Sequence, residues 1–341
     1  MSGFLAKRTA LDLSPRAKIL GYITLIAWSI VVLFPLYWLA ITSFKTPAQV
    51  SQGPFYIPGV DFQPTLDNWH HVLVTLGNDT TRAYYNTVVV ATISTILAMS
   101  IGAFAAYGLV RFRYRPRVGM IVLGIGVVIG AFIASRLGVP PILAVVSGLA
   151  VLVLMAPVVG RRSRRSLGNS DVAFWLISQR ILAPVAIVIP IYVLFQNLRL
   201  LDTLPALIIT YTAANLPIVI WLMRDYFLNI PPDLEEAASV DGASPYRIFR
   251  SVVIPVAKPG IVATGILVLV FAWNEYLIAL FLTTANAQTM PVLVSAQNAT
   301  RGPEWWYMSV LILIMIIPVI VLAVILERFI SRGALTGAVK G

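Results

Sequence analysis

Few side chains in this 341-residue sequence could do covalent or redox chemistry. Cysteine is absent, and the only two histidines are adjacent, at His70 and His71. The sequence therefore offers no disulfide framework and no thiolate or multi-histidine metal site. The phosphate-binding motif G-x-x-x-x-G-K-[ST] is also absent, so we expect neither catalysis nor a bound nucleotide, metal or other cofactor in this chain.

A small set of polar side chains lies inside long apolar runs. Trp273, Asn274 and Glu275 are consecutive within one run, and Asn215 lies in another. A carboxylate within a membrane-spanning helix is a functional candidate by default. We predict that these four residues line a solute path or hold a gate. A structural polar contact between helices is an equally good interpretation of Glu275.

The composition requires lipid around the chain. Hydrophobic residues make up 59% of the sequence and charged residues 11%, and the mean hydropathy is +0.87. The formal net charge of +11 comes from short basic clusters between apolar runs. Such clusters are typical of charge that sets membrane topology, rather than of nucleic-acid binding. We therefore expect contact with membrane lipid and none with nucleic acid.

Apolar runs of about 20 residues, the length that a helix needs to cross a bilayer, recur along the whole chain. The sequence predicts an all-α, polytopic membrane helix bundle with about eight spans. The third and fourth spans could instead form a re-entrant hairpin, because the third is short and rich in glycine. The predicted spans are residues 19–42, 85–110, 118–135, 138–160, 174–196, 204–223, 260–283 and 308–327.

Lysine and arginine are concentrated in every second segment between these spans. Segments rich in these residues face the cytoplasm, so both termini are predicted to be cytoplasmic. Residues 1–18 then form a cytoplasmic N-terminal segment, and residues 19–341 form the transmembrane domain. Three of its connections are long, at residues 224–259 on the cytoplasmic side and at residues 43–84 and 284–307 on the outer side.

The cytoplasmic connection contains the signals of two short helices. Asp233 is predicted to cap the first helix, with Glu236 closing a capping box three residues later. Gly242 can adopt the positive φ that ends this helix. Ser244 is predicted to cap the second helix. A polar, amphipathic pair of helices between two membrane spans is suited to dock on a soluble protein.

A specific resemblance follows from the spacing in this segment. Glu236, Ala237 and Ala238 are followed after three residues by Gly242, and after nine more by V-V-I-P, ending at Pro255. This string resembles the EAA loop of bacterial ABC importer permeases, EAA-x₃-G-x₉-I-x-L-P, with valine for the isoleucine and isoleucine for the leucine. We predict that Pro255 ends the second helix. The W-N-E triplet and the C-terminal R-G-A-L-T-G-A-V-K-G resemble the maltose-type carbohydrate permeases.

The resemblance implies a type I ABC importer permease fold in a bacterial inner membrane. It implies a non-catalytic subunit that forms half of the path for a carbohydrate or a derivative, such as a sugar, polyol or substituted glycoside. The implied partners are a second homologous permease, two ATPase subunits that hold ATP and magnesium, and a periplasmic solute-binding protein. The implied ATPase-coupling residues are Glu236, Ala237, Ala238, Asp241, Gly242, Ala243 and Pro255.

Three further expectations accompany the resemblance. Gln297, Asn298 and Arg301, in the outer segment, would contact the binding protein; an ordinary solvated connection is the alternative. Residues 118–170 form a two-span insert in the six-span pattern of the family, and the sequence suggests no function for it. The alternative function is an ion-coupled secondary transporter, which would typically place several ionisable groups within its spans.

Overall fold

The computed structural model describes residues 15–112, 115, 117–162, 165–179, 184–299 and 302–337. Regular structure there is helical apart from a short antiparallel hairpin of β1 (Asn298–Ala299) and β2 (Gly302–Pro303). The helices are α1 (Pro15–Thr42), α2 (Pro47–Gln52), α3 (Asp67–His70), α4 (Gly77–Arg111), α5 (Val118–Arg136), α6 (Pro141–Arg162), α7 (Asn169–Ser178), α8 (Pro184–Asn197), α9 (Leu204–Leu228), α10 (Asp233–Val240), α11 (Pro245–Ile248), α12 (Ile254–Trp273), α13 (Leu277–Leu282), α14 (Met290–Ala296) and α15 (Trp305–Gly337).

Among the described residues, some helices are long and apolar enough to cross a membrane. Apolar stretches that are shorter occur at Val118–Ala134 and Val185–Asn197. Residues 180–183, within the predicted span 174–196, lie outside the described part of the chain. The count of eight spans therefore stays a prediction. The long apolar helices are Pro15–Thr42, Gly77–Arg111, Leu204–Leu228, Pro245–Trp273 and Trp305–Ile325.

The helix that contains the start of the predicted span 260–283 has different bounds from that span. Helical structure begins at Pro245 and continues without interruption to Trp273, where the chain leaves the helix before α13 begins. At this break the Asn274 side chain donates to the Val270 carbonyl at 2.8 Å. The Glu275 carboxylate accepts from the backbone N–H of Ile278 at 3.1 Å. The two side chains satisfy backbone groups at the end of one helix and the start of the next, which stabilises the break.

The chain divides into two compact units. The first unit consists of the residues up to Tyr84 together with Thr289–Pro318. Its apolar cluster is formed by residues of the segment before Tyr84, of α14 and of α15. In the same unit Lys45 is buried, donates from Nζ to the Phe55 carbonyl and lies 4.6 Å from the Trp38 ring centroid. The cluster consists of Val72, Ala83, Met290, Leu293, Val310 and Leu311.

The second unit consists of Tyr85–Gln288 together with the chain that follows Pro318. Its core brings α4, α9 and α12 together, and two glycines allow helix backbones to approach closely. A Cβ atom on Gly102 of α4 would lie 2.5 Å from Cγ1 of the fully buried Val219 on α9. A Cβ atom on Gly260 of α12 would lie 2.4 Å from the ring of Tyr226 on α9. Glycine is therefore needed at both positions for packing.

We predict that Gly102→Ala lowers the stability of the second unit by roughly 1–3 kcal/mol. The added methyl group would overlap with Val219, whose buried, β-branched side chain cannot move to another rotamer. Gly108→Ala on the same helix is the matched control, since no atom lies within 4 Å of the Cβ position there. Thermal unfolding in detergent, followed by tryptophan fluorescence, measures the difference. Equal melting temperatures for the two variants would contradict the packing argument.

Candidate functional site

The first helix of the connection between α9 and α12 is α10. Its N-cap residue is Pro232, and no side chain makes a capping hydrogen bond there. The predicted capping box is therefore wrong: Pro232 is already in the helical conformation, so Asp233 occupies the first helical position instead of the cap. Asp233, Glu235 and Glu236 still lie in the first turn, where the positive end of the helix dipole favours carboxylates.

The turn after α10 requires glycine. Gly242 has a φ of +79°, and its N–H donates to the Ser239 carbonyl at 3.0 Å. The N–H of Ala243 donates to the Ala238 carbonyl at 3.0 Å, which closes the turn. A Cβ atom on Gly242 would meet no atom within 4 Å, so the requirement lies in the backbone conformation and not in space. The predicted positive φ at this position is confirmed.

The second helix begins as predicted and ends elsewhere. Ser244 accepts from the backbone N–H of Arg247 at 3.4 Å, and Pro245 occupies the first turn. The prediction that Pro255 ends this helix is wrong, because the helix continues through it into α12. A π-helical turn at Phe249–Val253 directly precedes this proline. The wider turn changes the hydrogen-bond register there, so the helix accommodates a residue without an N–H donor.

The two faces of α10 have different surroundings. Ala238 and, beyond the turn, Ala243 are half-buried and pack against the apolar cluster of the second unit. The opposite face is exposed, and Val240 at its end has an exposed fraction of 88%. An exposed valine beside exposed carboxylates is a surface suited to contact another protein. The exposed residues of α10 and its C-cap are Asp233, Leu234, Glu236, Ala237, Ser239, Val240 and Asp241.

A desolvated ion pair fixes α10 to the end of α4. Nε of Arg111 lies 2.6 Å from Oε1 of Glu235, and the Tyr107 hydroxyl donates to Oε2 of the same carboxylate at 2.8 Å. The side chains of Arg111 and Glu235 are only 18% and 12% exposed. Arg111 also donates from Nη2 to the carbonyls of Phe227 and Ile230, at 3.2 and 2.9 Å. One guanidinium thus holds both the end of α9 and the start of α10.

An aromatic cluster lies beneath this ion pair. The Phe249 ring centroid is 4.9 Å from that of Tyr107, 4.7 Å from that of Phe104 and 6.2 Å from that of Phe227. Phe249 is buried, and it belongs to the π-helical turn that follows α11. Aromatic pairs at these separations add to the free energy of apolar burial. The second helix of the connection is therefore fixed to α4 and α9 by packing.

Three of the predicted path residues lie at the break after α12, and the fourth, Asn215, lies on α9. Trp273 is buried, Asn274 is exposed and Glu275 is half-buried. The Tyr211 hydroxyl donates to the Glu275 backbone carbonyl at 3.1 Å, and Asn215 donates from its side chain to the Tyr211 carbonyl at 2.9 Å. The structure therefore connects Asn215 with the break through Tyr211.

A carboxylate holds the loop that follows α13. Asp202 accepts hydrogen bonds from the backbone N–H groups of Thr284, Ala285, Asn286 and Ala287 at 2.9–3.2 Å. Burial disfavours the charged form of Asp202, but these four N–H donors outweigh it and hold the pKa of the carboxyl well below its usual range. We call this set of hydrogen bonds between Asp202 and residues 284–287 the latch. The sequence does not predict it, because no local pattern connects residues so far apart.

The rest of the predicted outer segment belongs to the first unit. Gln297 is half-buried, and its side chain donates to the Leu293 carbonyl at 3.3 Å. Asn298 is exposed in β1. Arg301 lies outside the described residues. The side chain of Asn298 is therefore accessible at this surface, whereas that of Gln297 is partly occupied by its own helix.

Comparison with known proteins identifies the family. The model of the family described as binding-protein-dependent transport system inner membrane component matches residues 98–335. The chain belongs to this family. It is thus a multi-pass inner-membrane component of a transport system, and the resemblance seen in the EAA-like string is confirmed at the level of the family. The family match also supports the importer prediction over the ion-coupled alternative.

Relatives of this permease match it over nearly their whole length. The trehalose transport system permease protein SugB of Mycobacterium tuberculosis is 30% identical over 312 residues, covering 91% of this chain and 93% of that protein. The trehalose/maltose transport system permease protein MalG of Thermococcus litoralis is 26% identical over 332 residues, covering 95% of this chain and 97% of that protein.

A solved structure shares the fold of this permease. A chain of the bacterial ABC transporter involved in the import of the acidic polysaccharide alginate matches with a TM-score of 0.58 and 21% identity. The match covers 93% of this chain and 98% of that one. The predicted all-α importer permease fold is thereby confirmed.

We predict that Glu235→Gln loosens α10, because the substitution leaves the Arg111 guanidinium without a counter-charge in a largely desolvated site. Hydrogen exchange of residues 233–243 should become about 30-fold faster, as expected for a loss of roughly 2 kcal/mol in local stability. Glu236→Gln is the matched control at the neighbouring, exposed glutamate, and it should leave the exchange rates unchanged. Equal exchange rates in the two variants would contradict the anchoring role.

We predict that Asp202→Asn destabilises the second unit by roughly 2–3 kcal/mol at neutral pH, because four N–H groups lose a charged acceptor. Asparagine tolerates the positive φ of +57° at this position, so the substitution removes the charge without straining the backbone. A carboxyl whose pKa is lowered by folding contributes stability above its unfolded pKa of about 3.9 and loses it as the pH falls.

The difference in melting temperature between wild type and Asp202→Asn should therefore shrink below about pH 4. The control is Asp79→Asn, which removes an exposed ion pair with Arg82 and should change stability by less than about 1 kcal/mol. A difference that stays constant from pH 7 to pH 3 would contradict the latch.

Proposed function

We propose that this chain is the non-catalytic permease subunit of an ATP-driven importer and forms half of the membrane path for a carbohydrate or a carbohydrate derivative. The observation that carries the proposal is the α10 hairpin: an anchored helix that exposes its other face beside a glycine turn, in a member of the binding-protein-dependent family. The trehalose and maltose named for its relatives support the substrate class.

The exposed face of α10 is proposed to dock on a separate ATPase. That partner would bind ATP and magnesium, in two copies, because this chain has no phosphate-binding motif. Glu236, Ala237 and Asp241 would contact the ATPase directly, Gly242 would set the turn, and the small Ala238 and Ala243 would hold the hairpin close to the core. Pro255 would act indirectly, within the helix that carries motion into the membrane.

The break after α12 is proposed to lie on the solute path. Non-helical backbone at membrane depth is tolerated where it is buried in protein or lines a water-filled cavity. The exposed side chain of Asn274 would face the solute or the gate, with Trp273, Glu275 and Asn215 supporting the break. A second, homologous permease would complete the path.

The outer side is proposed to receive a periplasmic solute-binding protein. Residues 284–307 would contact this partner through Gln297 and Asn298, together with Arg301. The same orientation places both termini in the cytoplasm, and it is supported by the alternation of lysine-rich and arginine-rich segments along the sequence.

The experiment that tests the coupling role compares two charge reversals at exposed carboxylates. Glu236→Lys should reduce sugar uptake by cells or proteoliposomes roughly tenfold or more, because it places the wrong charge at a docking surface. Membrane insertion and the melting temperature should not change. Asp225→Lys on α9, whose carboxylate is 55% exposed, is the control and should retain uptake.

Normal uptake by Glu236→Lys would count against the docking role. Energy coupling is tested separately in energised vesicles: a proton uncoupler should leave uptake intact while ATP is maintained. Collapse of uptake under those conditions would overturn the ATP-driven assignment.

A further inference from the structure

The helical hairpin formed by α5 and α6 has an unusual environment. In the described part of the chain, the two helices pack chiefly against each other. Large apolar side chains are exposed on the sides of the two helices that face away from each other, such as Val128 at 69% and Phe132 at 60% on α5, and Val153 at 69% and Leu154 at 72% on α6. A helix that is apolar all round and has little protein around it is compatible with lipid as its solvent.

Small residues on the facing sides of the hairpin leave an open, apolar groove of about 410 Å³. A Cβ atom on Gly148 would lie 3.0 Å from Cγ1 of Val127, so the two helices approach closely there. Gly126 and Gly130, by contrast, have no neighbouring atom within 4 Å of the Cβ position. The groove is therefore open along one face of α5, because these glycines have no side chains to fill it.

The base of the hairpin collects positive charge. The N–H of Val118 donates to the Arg165 carbonyl at 3.0 Å, and Arg117 forms a bridge with Ser166. This pairing brings Arg117 beside the last turn of α6, where a Cβ atom on Gly160 would lie 3.4 Å from the Arg117 guanidinium. The arginines gathered at this base are Arg115, Arg117, Arg161, Arg162 and Arg165, all of them exposed.

Within the described residues, no salt bridge involves Arg117, Arg161 or Arg162 of this cluster. Asp171 is the acidic side chain that follows the hairpin most closely in sequence, and it accepts from the backbone N–H of Gly168 at 2.8 Å. Salt bridges between described residues involve Arg82, Arg111 and Arg224, and none involves Arg161 or Arg162. These two residues lie beside Pro157 and Val158 at the edge of a second concave surface.

We propose that the hairpin binds an anionic phospholipid, with one acyl chain along the groove and the phosphate on Arg117, Arg161 and Arg162. The guanidinium group is suited to phosphate because it can donate two parallel hydrogen bonds to it. Basic pockets between membrane helices bind anionic headgroups by this chemistry. A second protein helix could fill the groove, but an apolar helix would leave the arginines without counter-charge. The proposal is independent of how transport is driven.

The test uses the purified transporter containing the full chain, with phosphatidylglycerol and phosphatidylcholine as probes in native mass spectrometry. Wild type should retain phosphatidylglycerol in preference to phosphatidylcholine. Arg161→Gln with Arg162→Gln should weaken phosphatidylglycerol binding about 30-fold, since each basic residue near an anionic surface contributes about fivefold. Arg16→Gln with Lys18→Gln, which removes the same charge at the start of α1, should leave it unchanged. Arg161→Lys with Arg162→Lys should retain most of it.

A second variant tests the groove without changing charge. Gly130→Leu should fill the open groove and reduce phosphatidylglycerol binding, with the melting temperature maintained. Equal retention of the two lipids by wild type would overturn the proposal. So would unchanged binding in both the arginine and the groove variants, displacement of the lipid by inorganic phosphate alone, or a second protein chain bound at the hairpin in place of lipid.

Discussion

The hydrogen-bonded ion pair between Arg111 and Glu235 connects a solvent-exposed loop to helices that lie in the membrane, and the geometry of the candidate coupling surface depends on it. Both side chains are largely removed from solvent, so removal of either one would leave the other charge without a partner in a desolvated site. Arg111 also donates to the carbonyls of Phe227, in the last turn of α9, and of Ile230, just after that helix. A displacement of α10 is therefore resisted by α4 and α9 together, and the opposite face of α10 is left free for a partner.

The second constraint is the continuity of helix from Pro245 to Trp273. The π-helical turn before Pro255 lets a single helical element run from the connection between α9 and α12 to the break at Asn274. No non-helical segment separates α11 from the break. Just beyond the far end of this element, the Tyr211 hydroxyl of α9 donates to the Glu275 carbonyl, and Asn215 donates to the Tyr211 carbonyl within α9. The proposed docking surface and the proposed solute path are parts of the same unit.

Local signals in the sequence predicted local structure well. Gly242 and Ser244 perform the turn and cap functions expected from their residue types, and the EAA-like spacing led to the correct family. Tertiary contacts were not accessible in this way. A basic cluster between apolar runs, such as the one that contains Arg111, indicates only membrane topology, and the sequence does not show that Glu235 rather than Glu236 is the anchored carboxylate. The break after Trp273 was missed because hydropathy does not register side chains that cap helix ends within an apolar run.

A double-mutant cycle of Arg111→Met and Glu235→Gln, measured by hydrogen exchange of α10, tests the central interaction most directly. If the pair anchors the hairpin, the double variant should lose little more local stability than the more damaging single variant, with a coupling energy of roughly 2 kcal/mol. Additivity of the two single effects within about 0.5 kcal/mol would mean that the two side chains act independently, and it would contradict this account.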